Sequence, residues 1–195
     1  MMLQTIKPIW FWAGMKNCLS QLVNNCVECQ KWARSRNMQP PREIPEEISL
    51  KGPMDRGGVD IMSWAGKQYL VMVDYYSYYK WCHELKKVDT QTVVQVLTDW
   101  FNQGHGLPRI LRVDSGPQFR VPFNNFLEKL GILRETSSAY TASSNGMAER
   151  AAGSLKRVIK KGMKGSLLQL TADLNNLVRS DNSVTPTELI AGHAV

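Results

Sequence analysis

Three carboxylates stand at positions where phosphoryl chemistry would want them. Asp60 falls in an early apolar stretch, Asp114 follows it by 54 residues, and Glu149 follows Asp114 by 35. Hard divalent cations such as Mg²⁺ select carboxylate oxygens. Two such ions about 4 Å apart can hold the attacking and leaving oxygens of an in-line phosphoryl displacement. The chain has 17 Asp and Glu in all, and an acid taken alone is usually a solvated surface group. The order of the elements places these three where they could converge, and the motifs around them single them out. The sequence holds no Ser/His/Asp or Cys/His constellation that would compete for a catalytic role.

Those elements alternate in a recognisable way. Residues 58–62, 68–75 and 80–85 are rich in β-formers, separated by Gly66 and by Tyr76-Ser77, as in a three-stranded antiparallel meander. Val93, Val94, Leu97, Trp100 and Phe101 recur at helical spacing, predicting a helix over 90–103 that Gly104 and Gly106 end. A strand over 110–113, a helix over 123–130 stopped by Gly131, a strand over 132–135 and a helix over 148–163 follow, with a further helix over 167–178. This β-β-β-α-β-α-β-α order puts Asp60 within the first strand, Asp114 at the end of the fourth and Glu149 in the first turn of the long helix. Lys156 lies seven residues beyond Glu149, two turns along nearly the same face, and Lys160 continues near it. Near the N-terminus, residues 15–25 read as a helix leading into Cys26-Val27-Glu28-Cys29. Residues 38–52, with three prolines, read as a connector.

Composition bounds the partners. The 195 residues carry 24 Lys and Arg against 17 acids, a formal net charge of +7. The excess is concentrated: residues 1–42 hold six basic groups against Glu28, and residues 148–164 hold six, Arg150 among them, against Glu149. Clustered cations are the footprint of a polyanion, because each neutralised phosphate releases condensed counterions. A solvated basic helix face is the plainer account of either segment alone. The 43% hydrophobic fraction is that of a globular chain. No apolar run approaches the roughly 20 residues of a membrane helix, and no signal peptide is read.

Four motifs then occur in order: Gly58-Val59-Asp60-Ile61, Tyr69 through Ser77, Asp114-Ser115-Gly116-Pro117-Gln118-Phe119, and Ser144-Asn145-Gly146-Met147-Ala148-Glu149-Arg150. From about Pro53 to Gly162, with a fainter extension over 185–189, the chain resembles the integrase catalytic core of long-terminal-repeat retrotransposons and retroviruses, most closely that of Gypsy-type elements. The resemblance implies an α/β, ribonuclease-H-like fold with a mixed five-stranded sheet flanked by helices. It implies Asp60, Asp114 and Glu149 as the metal-binding catalytic triad, loaded with two Mg²⁺ or Mn²⁺ ions. The activity implied is 3′-end processing of element DNA and its transfer into target DNA. Gln118, Asn145, Arg150, Lys156 and Lys160 match or neighbour positions expected to meet DNA. Two departures are visible. The interval between Asp114 and Glu149 holds 34 residues, one fewer than the family's usual number, and Tyr140-Thr141-Ala142 stands where many members have His-Pro.

Trp12 through Lys16 followed by Cys26 and Cys29 is similar to the second half of the HHCC zinc module that precedes such cores. A closed zinc site needs four ligands, yet the histidines, His83, His105 and His193, all lie downstream. The pair is a vestige, half of a shortened module, or a site completed by another subunit. Zn²⁺ binding is not expected of this chain. The expected organisation is a partial zinc-type module over 1–37, a linker over 38–52 and the catalytic core over 53–195. The expected partners are DNA, both element ends and target, and further copies of the chain, with no membrane. Location in the nucleus is expected, with passage through the cytoplasm during element replication. The alternative is a decayed or host-recruited remnant that binds DNA or a protein without catalysis. An RNA-hybrid nuclease on the same fold is a third reading.

Overall fold

The computed structural model describes residues 2–31, 50–136, 152–156, 165–178 and 184–192. Three strands form the predicted meander: β1 (Arg56–Trp64), β2 (Lys67–Asp74) and β3 (Lys80–Leu85). The β1–β2 hairpin turns on Ala65 and Gly66, both at positive φ (48° and 76°), the geometry of a two-residue turn whose twist suits a hairpin. Its register runs from Trp64↔Lys67 to Gly57↔Asp74. β1 is longer at both ends than the sequence suggests: pairing with β4 recruits Arg56 and Gly57, and the hairpin with β2 recruits Ser63 and Trp64.

After α4 (Thr90–Phe101) come β4 (Ile110–Val113), α5 (Val121–Lys129) and β5 (Leu133–Thr136). Asp89 caps α4 by accepting from the Thr92 amide at 2.7 Å. α5 starts two residues before the expected position, with Pro122 in its first turn, where a missing N–H leaves nothing unpaired. The five strands are ordered β3-β2-β1-β4-β5, antiparallel from β1 to β3 and parallel from β1 through β4 to β5. This is the mixed sheet of a ribonuclease-H-like fold, as expected. Residues 152–156 are helical (α6), the described part of the long helix expected over 148–163. α7 (Leu167–Asn175) ends three residues earlier than expected, and α8 (Pro186–Ala191) was not foreseen as a helix. At the N-terminus α1 (Met2–Ile6), α2 (Met15–Asn25) and α3 (Val27–Lys31) follow one another.

The two faces of the sheet are covered differently. One carries Val59, Leu70, Met72, Leu111 and Val113 against Leu97 and Trp100 of α4 and Phe123 and Leu127 of α5. The other carries Met62, Tyr69, Val71, Val73 and Tyr75 against Ala152 and Leu155 of α6, with Leu167 and Leu174 of α7 at its margin. Alternation along the strands places Arg56, Gly58 and Asp60 of β1, and Arg112 of β4 with Asp114 just beyond it, on this second face. No helix among the described residues is long and apolar enough to cross a membrane.

Candidate active site

The parallel register of β1 and β4 pairs Gly58 with Arg112. Continued by two residues, past the last paired residues and the end of β4, the same register would bring Asp114 toward Asp60. Both side chains are half-buried. Asp60 Oδ1 accepts from the Ile61 amide at 2.8 Å. Asp114 Oδ1 accepts from the Gly116 amide at 2.8 Å, a turn that closes the end of β4 and fixes the carboxylate's direction. The Gln118 amide packs over Gly116: a Cβ added there would meet both polar atoms of Gln118 and lie 2.9 Å from Asp114 Oδ1. Gln118, expected to meet DNA, is thus largely buried beside Asp114, where it shapes the loop that carries the carboxylate.

Glu149, Asn145, Arg150 and Lys160 lie outside the described residues. Helix α6 is described, and its Ala152 and Leu155 pack on the face that carries Asp60 and Asp114. Lys156 follows Leu155 and is partly exposed. Asp60 and Asp114 supply hard oxygen donors on one surface, which suits Mg²⁺ or Mn²⁺ and not a soft, thiolate-preferring metal. Among the described residues no group of three His, Cys, Asp or Glu side chains assembles into a metal cluster.

A third aspartate shows what a structural carboxylate looks like in the same sheet. Asp74, at the end of β2, is fully buried and accepts from the Met54 amide (2.9 Å), the Ser77 amide (2.7 Å) and the Ser77 hydroxyl (2.6 Å). Burial pushes its carboxyl above the ordinary range despite these donors. It ties the entry of β1 to the turn before β3 and has no access to a substrate.

Sequence reasoning missed the charged row beside the two aspartates. Glu135 of β5 bridges two arginines: Arg56 Nη2 lies 2.9 Å from its Oε1 and Arg112 Nε 3.1 Å from its Oε2. The Tyr75 ring lies directly on Gly58, where a Cβ would come within 2.6 Å of its hydroxyl oxygen. Positions 56, 112 and 135 are far apart in sequence, and only the parallel register makes them neighbours. The available signal was a lone charge, Arg112, in the otherwise apolar strand β4.

At the N-terminus, Cys26 ends α2 and its Sγ accepts from the Cys29 amide at 3.4 Å, which lowers the Cys26 pKa. Cys82, by contrast, is pushed up to about 12 by burial. All four cysteines are free thiols.

Residues 54–142 match the model of the integrase core domain family. The Caenorhabditis elegans protein K02A2.6 is 28% identical over 82% of this chain, and the Pro-Pol polyprotein of feline foamy virus is 26% identical over 96% of it. The chain spans only 12% and 17% of the lengths of these relatives. Among solved structures, the catalytic core domain of BIV integrase superposes with a TM-score of 0.59 at 21% identity, covering 71% of this chain and 95% of that one. The simian T-cell lymphotropic virus intasome, solved in complex with PP2A regulatory subunit B56 gamma, gives 0.66 at 21% identity, covering 89% of this chain and 66% of that one.

Proposed function

We propose, from a chain that carries an integrase-type catalytic core, that it is a retroelement integrase-type polynucleotidyl transferase acting on DNA. What supports this reading most is that strand alternation puts Asp60 of β1 and Asp114, just past the end of β4, on the face that α6 covers. Glu149, three residues ahead of Ala152, would complete the triad. Two Mg²⁺ or Mn²⁺ ions, when bound, would neutralise the phosphodiester and activate the attacking water or 3′-hydroxyl. The chain's own part is positioning. β1 and β4 fix the two carboxylates, the Asp114–Gly116 turn and Gln118 hold one of them in direction, and Lys156 with the basic stretch 156–164 would grip the DNA backbone. The same reading assigns residues 1–37 to a partial zinc-type module, 38–52 to a linker and 53–195 to the core. It expects assembly on DNA ends as an oligomer, and nuclear location because chromosomal DNA is the target.

The test is a strand-transfer and disintegration assay on branched DNA with Mg²⁺ or Mn²⁺, comparing the natural chain with Asp114→Asn at matched salt. Metal-dependent activity that vanishes in the variant supports the reading. Inactivity of both, with equal DNA binding, removes the enzyme and leaves the second reading, a DNA-binding remnant. The one-residue contraction between Asp114 and Glu149 and the Thr141-Ala142 substitution favour that alternative.

A further inference from the structure

Between α1 and α2 four consecutive large apolar side chains face solvent. Ile9, Trp10 and Phe11 are 72%, 67% and 83% exposed, and Trp12 is 38% exposed. Elsewhere among the described residues such side chains stand singly along the chain, which is ordinary for a protein surface. The backbone around the run is held. The Ile6 carbonyl accepts from the Ile9 and Trp10 amides, each at 2.9 Å, and the Trp12 carbonyl accepts from the Met15 amide at 3.2 Å. Among the described residues of 2–31, Met15 and Leu19 alone are buried, so the rings of the run are left outside that small interior. The charges around the run have one sign. Lys7 and Lys16 flank it and are both exposed, and Glu28 is the single acid of residues 1–42 against six Lys and Arg. Such a segment attracts a polyanion. Three rings add what a phosphate backbone alone does not use, flat faces on which bases can stack. In a duplex the faces of the bases are covered by their neighbours, and unpaired nucleotides leave them open.

We propose that Trp10, Phe11 and Trp12, with Lys7 and Lys16, form a platform for single-stranded DNA, the rings stacking on unpaired bases and the lysines meeting the adjoining phosphates. The choice of polymer rests on the DNA-acting reading above. The inference goes beyond that reading by adding a second site, outside the stretch 54–142 that matches the integrase core, and by specifying that its ligand is unpaired.

The experiment follows the fluorescence anisotropy of a dye-labelled oligothymidylate, alone and annealed to its complement, as the full chain is added without divalent metal at several salt concentrations. The double variant Trp10→Ala/Phe11→Ala should bind the single strand at least about tenfold more weakly, because two stacking faces are lost. Its affinity for the duplex should change by less than about twofold. Lys7→Ala/Lys16→Ala should flatten the slope of log affinity against log salt on the single strand by about 1.4, two phosphate contacts at about 0.7 each. Equal losses on single strand and duplex, or no loss on either, overturn the proposal. If the aromatic variant instead lowers the oligomeric state in sedimentation and leaves single-strand affinity unchanged, the run is a contact between copies of the chain and the proposal is overturned. Should the aromatic variant fail to fold by circular dichroism, the lysine variant decides: an unchanged salt slope overturns the proposal and the flattened slope supports it. The two levels are separable. A natural chain that binds neither form of DNA removes the DNA-acting reading and this inference with it. A natural chain that binds both equally well in the aromatic variant removes the inference alone.

Discussion

The two faces of this sheet solve different problems with the same strands. The face under α4 and α5 is largely apolar, with Leu97, Leu111, Val113, Phe119 and Phe123 removed from solvent. The opposite face is apolar only over β2 and the neighbouring part of β1. Toward β4 and β5 it turns polar and carries Arg56, Asp60, Arg112, Asp114 and Glu135. Stability is concentrated where burial is complete, and the proposed chemistry would fall where burial stops halfway. A charge in a half-buried position acts more strongly on a bound cation or phosphate than one fully in water. The contrast between Asp74 and Asp114 makes the point with a single residue type: the first is buried and spent on three internal donors, the second is half-buried and accepts from the Gly116 amide of its own turn.

The sharpest way to break this division is to perturb each face separately. Phe123→Ala removes a fully buried ring that meets Phe119 edge-on at 5.1 Å between centroids, and should destabilise the fold by about 3–5 kcal/mol in denaturant titration. Asp114→Asn should leave the denaturation midpoint nearly unchanged while abolishing metal-dependent activity. Equal stability losses in the two variants would erase the distinction.

Asp74→Asn should fall between them, at about 1–3 kcal/mol, since its amide nitrogen must face donors that a carboxylate satisfied. Its pH dependence has a definite sign. Burial raises the Asp74 pKa in the folded state, so the folded protein binds this proton more tightly than the unfolded chain does. The stability contributed by protonated Asp74 is full below the ordinary aspartate value and is lost as pH rises through the raised folded value. The stability difference between natural chain and variant should therefore shrink as pH climbs out of the acid range. A difference that grows over that interval would show that the three donors outweigh burial.

The smallest effect belongs to Lys67→Ala. Lys67 and Glu84 form a 2.9 Å ion pair across β2 and β3, but both are about half exposed, and such pairs contribute little. No change in midpoint is expected beyond measurement error at physiological salt.

Much of this was legible in the sequence because it is local. β-rich stretches separated by turn residues marked β1 to β3, and the 3 and 4 spacing from Val93 to Phe101 marked α4. α8 was also locally encoded, by Thr185 and Glu188 in a capping box with Pro186 in the first turn, a signal that the short apolar run behind it obscured. Asp60 and Asp114 could be placed at strand positions because strand order is readable. The Arg56–Glu135–Arg112 row could not, because strands that pair in parallel are joined by crossovers and no sequence spacing states their register. The β2–β3 turn shows a milder version: Val73 to Ser77 was readable as a motif, while Asp74's grip on the Met54 amide, 20 residues upstream, required the folded chain.

One contact far from the carboxylates bears on how the molecule is made. The buried Asn175 side chain accepts from the Lys80 amide at 3.0 Å and donates to the Lys80 carbonyl at 2.8 Å, so a side chain at the end of α7 takes the part of a neighbouring strand at the start of β3. β3 is an outer strand of the sheet, and an unfinished outer strand invites pairing with another chain. The two partners are 95 residues apart, and closing so long a loop is slow. During synthesis, β3 emerges from the ribosome long before the asparagine that completes it. The nascent core is thus exposed to intermolecular pairing until α7 has been translated and docked.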